Sequence, residues 1–163
     1  MAETVEMLDI YDKNGNKTGI TRKRSEPMKN GEYHRIVHVW IKNSENKFII
    51  TKRSPEKRNC PNMWECTAGF IFAGEESSVA ALREVKEETG FILNLANGEL
   101  IYSFINEDYI HDIWLFNENV DIKTAVLEKG GTCDIKWAVK DEILRIIEKG
   151  EFVPYMEYVR DIF

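Results

Sequence analysis

Alternating apolar and polar positions predict β-strands on both sides of one central helix. Residues 33–41 (YHRIVHVWI) are rich in β-branched and aromatic side chains, as strands are. Successive side chains of a strand point to opposite faces, so His34 and His38 share a face with Trp40. A polar turn at 43–46 separates this run from a second one and predicts a hairpin. The predicted strands are 7–11, 18–21, 33–41, 47–53, 63–70, 99–105, 109–116 and 134–139.

The central helix is predicted from Val79 to Thr89, with Ser77 as its N-cap and Gly90 as the residue that ends it. Its docking face is predicted to comprise Val79, Ala81, Leu82 and Val85. Two further helices are predicted, at 141–148 and from Pro154 to Asp161. Strands before and after a central helix, followed by C-terminal helices, predict an α/β sandwich with a mixed sheet.

Another face of the central helix carries Glu84, Glu87 and Glu88, which fall within an arc of about 100°. Glu84 and Glu88 form a like-charge pair one turn apart, and Arg83 can relieve only part of the repulsion. Uncompensated carboxylates on a docked helix indicate a hard divalent cation, and oxygen ligands favour Mg²⁺. The alternative is a solvated acidic face without a metal.

The spacing from Gly69 to Phe91 is that of a known motif: Gly-x5-Glu-x7-Arg-Glu-apolar-x-Glu-Glu-x-Gly-apolar. In these residues the chain resembles the Nudix family. The resemblance implies an α/β/α sandwich with a mixed sheet, formed by one domain over residues 1–163. It also implies hydrolysis of a pyrophosphate bond in a nucleoside diphosphate, or in a small molecule linked to one, by water with Mg²⁺ or Mn²⁺.

The resemblance implies a role for each motif residue. Glu84, Glu87 and Glu88 correspond to metal ligands, and the backbone carbonyl of Ala68 is a further expected ligand. Arg83 corresponds to the arginine that orients Glu84 and pairs with Glu75. The predicted catalytic residues are therefore Arg83, Glu84 and Glu87.

The general base is a separate question. Many relatives place a glutamate about six residues before a tryptophan in a late strand. Here that tryptophan matches Trp137, and position 131 is glycine. Glu84 is the expected base. The alternatives left open are Glu107, Asp108, Glu128 and Asp134.

Cations around the loop that follows the predicted hairpin are expected to meet an anionic substrate. These predicted substrate-binding residues are Lys52, Arg53 and Arg58, with Lys57 in the same cluster. The run Arg22-Lys23-Arg24 is expected to be a solvated edge, with phosphate contact as the alternative.

The N-terminal half also resembles the Nudix subgroup related to isopentenyl-diphosphate isomerase, through IYDKNG, YHRIVHVWI and the following KR. That isomerase uses a cysteine and a glutamate, with a metal held partly by histidines. Here Ala68 and Phe70 stand at the isomerase's cysteine and histidine positions, and His34 matches one other histidine. Cys66 leaves a displaced thiol open. Isomerase chemistry and a non-catalytic nucleotide-binding module are thus the alternatives to hydrolysis, which the intact motif favours.

Composition restricts the partners. The chain has 163 residues and a formal net charge of −6, which argues against a general nucleic-acid surface. Three cysteines without CxxC spacing indicate reduced thiols. Without a signal peptide or an apolar run of membrane-spanning length, the expected location is cytoplasmic, with no membrane partner. The sequence leaves the oligomeric state open, a homodimer included.

Overall fold

The computed structural model describes residues 4–163. Its strands are β1 (Met7–Tyr11), β2 (Lys17–Lys23), β3 (His34–Lys42), β4 (Lys47–Arg53), β5 (Trp64–Glu65), β6 (Thr67–Phe70), β7 (Gly98–Asn106), β8 (Tyr109–Asn117) and β9 (Thr132–Val139). Its helices are α1 (Ser77–Thr89), α2 (Lys140–Glu148) and α3 (Val159–Ile162). Single turns of 3₁₀-helix lie at Leu95–Asn97, Ile122–Thr124 and Pro154–Met156. No helix within residues 4–163 is both long enough and apolar enough to cross a membrane.

The main sheet is mixed and has β3 near its centre. β3 pairs in parallel with β8 along its whole length, from His34 opposite Tyr109 to Lys42 opposite Asn117. Its other edge pairs in antiparallel fashion with β6, and at Lys42 with β4. β9 and β5 pair with β4, and β7 pairs with β8. β1 and β2 form a separate antiparallel pair.

Helices cover both faces of this sheet. Val37, Val39 and Ile41 of β3 pack in one buried cluster with α1. The alternate residue Trp40 packs in a second buried cluster with α2 and α3. The period-two pattern of β3 therefore divides the core into two layers, and the predicted α/β sandwich with a mixed sheet is confirmed.

Two details of α1 differ from the prediction. Its N-cap is Glu76, without a side-chain cap, because the Ser77 hydroxyl donates instead to Asp112 Oδ2 at 2.7 Å. Val79 is 52% exposed, whereas Ala80, Ala81 and Val85 are buried. At about 100° per residue, Val79 and Ala81 lie about 160° apart, so both cannot face the sheet. The predicted C-terminal glycine is confirmed, since Gly90 has a left-handed φ of 77°.

Two predicted elements are interrupted in the structure. The strand predicted at 63–70 is split at Cys66, because β5 pairs with β4 whereas β6 pairs with β3. The helix predicted from Pro154 to Asp161 is a 3₁₀ turn followed by the short helix α3. Both interruptions let short segments reach different neighbours.

Candidate active site

Arg83 of α1 binds the loop that connects β6 to the helix. Its Nε and Nη2 donate to the two carboxylate oxygens of Glu75, at 2.7 and 2.9 Å. Nη2 also donates to the carbonyl oxygen of Phe70 at 2.8 Å, and the guanidinium lies 4.0 Å from the centre of the Phe72 ring. The glutamate thus forms a two-point pair with the arginine, which fixes the loop against the helix.

Arg83 also holds two of the helix carboxylates. Its Nη1 donates to Glu84 Oε1 at 2.7 Å and to Glu87 Oε2 at 3.2 Å. The Glu84 side chain is largely buried, whereas that of Glu87 is 54% exposed. The contacts of Arg83 with Glu75 and Glu84 are the ones that the motif implies.

Gly69 of β6 lies directly against the Glu84 carboxyl group. A Cβ atom built at position 69 would overlap that carboxyl group. Its backbone φ is not left-handed, so this glycine is required by the close approach of Glu84 rather than by its own conformation.

Burial dominates the electrostatics of this helix face. It raises the pKa of Glu84 to about 7, although Arg83 acts in the opposite direction. The pKa of Glu88 is also raised well above its ordinary value, first by burial and then by the charges of Glu65 and Glu84. Glu88 Oε2 is buried and has no hydrogen-bond partner within residues 4–163. These carboxylates need a positive charge that Arg83 alone does not supply.

The donor set fits a hard divalent cation in its chemistry. Carboxylate and carbonyl oxygens are the ligands that Mg²⁺ and Mn²⁺ prefer, and the unpartnered Glu88 Oε2 is one such donor. Over the described part of the chain, no three His, Cys, Asp or Glu side chains are placed to share one ion. Ligation by all three helix carboxylates would therefore require these side chains to move closer together.

A cleft of about 350 Å³ opens beside this face. Ala68, Gly69 and Glu88 are among the residues that line the cleft, so two of the predicted metal ligands, Ala68 and Glu88, border it. Arg53 and Lys57 line it as well. Cations therefore line the same cleft as Glu88, whereas the other two predicted carboxylate ligands, Glu84 and Glu87, are not among the residues that line it.

The three predicted substrate-binding residues are placed differently. Arg53 lines the cleft. Lys52 points its ammonium group to the Trp64 ring, 5.7 Å from the ring centre, and Arg58 is exposed outside the lining. From the basic run, Arg24 reaches the cleft, with its guanidinium 4.5 Å from the centre of the Phe70 ring.

The sequence analysis missed Glu65, which binds the Arg53 guanidinium, and Tyr155, which binds Glu65. The buried Glu65 accepts from Arg53 Nη1 through both oxygens at 3.0 Å, and it accepts from the Tyr155 hydroxyl at 3.2 Å. The backbone carbonyl of Asn59 accepts from Arg53 Nε at 3.0 Å. A charged residue inside the otherwise apolar run MWECTAGF is the sequence signal that could have identified Glu65.

The alternative candidates for the general base lie in different parts of the structure. Glu107 lines the cleft, whereas Asp108 lies in the β7–β8 turn and Asp134 lies on β9 opposite Lys52. Glu128 is different, because its backbone N–H donates to the Glu88 carbonyl at 3.1 Å and its charge raises the pKa of Glu88.

Position 131 explains how Glu128 fits there. A Cβ atom at Gly131 would overlap the Glu128 carboxyl group. The carboxylate of Glu128 therefore occupies the space that a side chain at position 131 would need.

The histidines of β3 are sheet residues held by hydrogen bonds or by aromatic neighbours. His38 Nδ1 lies 2.8 Å from the Tyr158 hydroxyl, and His38 Nε2 lies 3.2 Å from Nδ1 of His111. The His34 ring packs edge-on against Phe70, with ring centroids 5.8 Å apart. His111 was missed by the sequence analysis, although a histidine inside the apolar run YIHDIWLF was a usable signal.

Comparison with known proteins gives matches over most of the chain. The family model of the NUDIX domain matches residues 32–157. An uncharacterized Nudix hydrolase of Listeria monocytogenes is 34% identical over 152 residues, which cover 93% of this chain and 90% of that protein. A crystal structure from Deinococcus radiodurans superimposes with a TM-score of 0.79 at 22% identity, covering 97% of this chain and 99% of that one.

The second resemblance is partial. The isopentenyl-diphosphate Delta-isomerase of Pectobacterium atrosepticum is 34% identical over 82 residues, which cover 50% of this chain and 45% of that protein. It thus matches only half of the chain, whereas the NUDIX model matches residues 32–157. The chain belongs to the Nudix hydrolase family.

Proposed function

We propose that the protein hydrolyses a pyrophosphate bond in a nucleoside diphosphate, or in a small molecule linked to one, with Mg²⁺ or Mn²⁺ as its cofactor. One observation carries the proposal: a single cleft is lined by Glu88, whose buried carboxylate oxygen has no partner within residues 4–163, and by the cations Arg53 and Lys57. A diphosphate needs both, since cations bind its oxygens and carboxylates recruit a metal.

Each residue has a defined task in this proposal. Glu84, Glu87, Glu88 and the Ala68 carbonyl would hold the cation. When bound, the cation neutralises charge on the phosphate oxygens and lowers the pKa of a water molecule. Arg83 positions Glu84 and Glu75, and Arg53 and Lys57 bind the phosphate oxygens. Glu65 and Tyr155 keep the Arg53 guanidinium in position.

Glu84 is the proposed general base. In the metal-free protein, burial raises the pKa of Glu84 to about 7. A bound cation would favour its ionised form, which is the form that accepts a proton. Glu128 is the second candidate, supported by its contact with the Glu88 backbone and its place against Gly131.

The test is a panel of nucleoside diphosphates, triphosphates, nucleotide sugars, dinucleotides and coenzyme A, with products identified by mass. We expect cleavage of a pyrophosphate bond in at least one compound with Mg²⁺ or Mn²⁺ and none in excess EDTA. A parallel sample of isopentenyl diphosphate in D₂O tests for carbon-bound deuterium. Absence of cleavage in every compound would refute the proposal, and deuterium incorporation would favour isomerase chemistry.

Cys66 provides a further test, because an isomerase would need its thiol. Cys66 is fully buried, its sulfur lies 3.6 Å from that of Met156, and burial raises its thiol pKa. It is not among the residues that line the cleft. Cys66→Ser should therefore leave hydrolysis within a few-fold of the wild type.

The same substitution should reduce the free energy of unfolding by about 1–3 kcal/mol if the serine hydroxyl finds no partner, and by less if it pairs with the neighbouring Tyr158 hydroxyl. Urea unfolding measures this change, and Cys133→Ser at the exposed cysteine is the matched control. Loss of hydrolysis in folded Cys66→Ser would show that the proposed chemistry omits an essential group.

A further inference from the structure

A line of buried polar groups leads from the core to the cleft. The Trp40 Nε1 atom lies 3.0 Å from the Tyr158 hydroxyl, which lies 2.8 Å from His38 Nδ1. His38 is fully buried, and its Nε2 lies 3.2 Å from Nδ1 of His111. The four residues join β3, β8 and the C-terminal segment, and only His111 reaches the cleft.

The donors and acceptors give this line a direction. Trp40 can only donate, so the Tyr158 oxygen accepts and its own proton is free for His38 Nδ1. A neutral His38 then carries its proton on Nε2 and donates it to His111 Nδ1. In the reverse direction, the Tyr158 proton would turn to the Cys66 sulfur, which is a weaker acceptor. The direction towards the cleft is therefore favoured.

Both imidazoles are neutral at pH 7. Burial lowers the pKa of His38 well below its usual value, and the neighbouring His111 lowers it further. Burial also lowers the pKa of His111 to about 4, against the opposing effects of Asp112 and the Asn106 backbone. A neutral His111 that accepts at Nδ1 must carry its proton on Nε2.

His111 Nε2, at the cleft end of this line, makes no hydrogen bond of normal geometry within residues 4–163. The residue is only 2% exposed. The ring is held in place by Phe104, which stacks on it with centroids 4.6 Å apart and an interplanar angle of 2°. The Asn106 backbone, which also lines the cleft, acts on this ring as an acceptor, but no hydrogen bond of normal geometry forms. A fixed and buried N–H group that is paired this poorly is stabilised when a ligand supplies a better acceptor.

The neighbours of His111 in the cleft suit a flat aromatic group. The Arg24 guanidinium, 4.5 Å from the centre of the Phe70 ring, belongs to the same wall and can also stack on such a group. Ile36, Phe70 and Tyr109 line the same part of the chain's cleft, and the rings of Phe70 and Tyr109 lie 6.2 Å apart. The cations suited to phosphate, Arg53 and Lys57, are contributed by β4 and the loop after it. An isoprenoid tail would also fit apolar walls, but it has no acceptor for His111.

We propose that His111 is the specificity-determining residue of a nucleobase subsite, in which its Nε2–H donates to a carbonyl oxygen or ring nitrogen of the base. Phe70 and Tyr109 provide the apolar contacts to the base. Tyr158 and His38 are positioning residues that fix the tautomer of His111. This inference rests on the proposed function, because it assigns the base of the substrate whose phosphates meet Arg53 and Lys57.

The first experiment observes the three histidines of the wild-type protein by long-range ¹H–¹⁵N NMR. We expect His111 to be neutral at pH 7 with its proton on Nε2. We then add AMP, CMP, GMP or UMP, with ribose 5-phosphate as the control that lacks a base. At least one nucleotide should shift the His111 Nε2 resonance, and ribose 5-phosphate should not. The Nδ1–H tautomer, no shift with any nucleotide, or an equal shift with ribose 5-phosphate would overturn the inference.

The second experiment compares His111→Phe, which removes the donor, with His111→Gln, which keeps an N–H group. For the best nucleoside diphosphate of the panel, His111→Phe should lower kcat/KM at least about tenfold, mainly through KM, because an uncharged hydrogen bond to substrate is lost. His111→Gln should retain most of the wild-type value. Hydrolysis of ribose 5-diphosphate, which has no base, should be unchanged in both.

The two hypotheses fail in different ways. Equal losses for the nucleotide and for ribose 5-diphosphate would place His111 at the phosphates and overturn the subsite. If the wild type hydrolyses no diphosphate, the proposed function fails, and the NMR titration with nucleotides still decides the subsite. If His111→Phe does not fold, the wild-type titration and His111→Gln decide it.

Discussion

Replacing Glu88 with glutamine should lower the turnover number at least about a hundredfold, the effect of losing several kcal/mol of transition-state stabilisation. Glutamine keeps the size and the helix propensity of the residue and removes the charge that recruits the cation. Glu88 lines the cleft, and its buried Oε2 atom has no hydrogen-bond partner within residues 4–163. The substitution therefore changes a carboxylate that is available to bind a cation. Glu87→Gln should act in the same direction. Steady-state hydrolysis at saturating Mg²⁺ measures both.

The free energy of unfolding distinguishes loss of the metal ligand from damage to the fold. Burial and the charges of Glu65 and Glu84 raise the pKa of Glu88, so its ionised form is unfavourable in the metal-free protein. Glu88→Gln should therefore be no less stable than the wild type in urea with EDTA at pH 7.5. Glu148→Gln, on the exposed side of α2, is the matched control and should change neither quantity. Near-normal turnover in both Glu87→Gln and Glu88→Gln would refute the metal assignment.

The motif spacing predicted the contacts that Arg83 makes with Glu75 and Glu84. This was possible because all three residues lie on one loop and the helix that follows it. The alternation of β3 likewise predicted which of its residues face each layer. In both cases the relevant neighbours are near in sequence, or their direction is set by strand geometry alone.

The rest of the site depends on pairings between distant segments. Tyr155 meets Glu65 across 90 positions, and His111 meets His38 across 73. Residues 63–70 form two strands because the first half pairs with β4 and the second half pairs with β3. Local propensity contains no information about such partners, since it describes the segment and not what packs against it.

The exposure of Val79 has a different origin. Its apolar side chain was assigned to the docking face from residue type, whereas the angular positions around the helix favour Ala81 and Val85. A wheel centred on Ala81 and Val85 would have placed Val79 correctly, because helix geometry is known in advance. This error was therefore avoidable from the sequence, unlike the missed contacts of Glu65 and His111.

The metal-free wild type should lose stability relative to Glu84→Gln as the pH rises from about 4.5 to about 7. Glu84 has a folded-state pKa of about 7, raised mainly by burial from the ordinary value of 4.5. Between these two values the unfolded chain has released this proton and the folded protein has kept it. The folded state therefore loses about 1.4 kcal/mol per pH unit across that window, or about 3 kcal/mol in total. The glutamine variant has no such proton.

Urea unfolding in EDTA at pH values from 4 to 8 measures this difference, and comparison with Glu84→Gln cancels the opposite contributions of the buried histidines. Above pH 7, Mg²⁺ should restore stability to the wild type and much less to the variant, because a ligand that binds only the folded state stabilises it by mass action. Mg²⁺ binding to the wild type at pH 6 should also release protons, which calorimetry in buffers of different ionisation enthalpy detects. Parallel pH profiles for the two proteins would mean that Glu84 is already ionised in the folded protein at acidic pH, with Arg83 outweighing its burial.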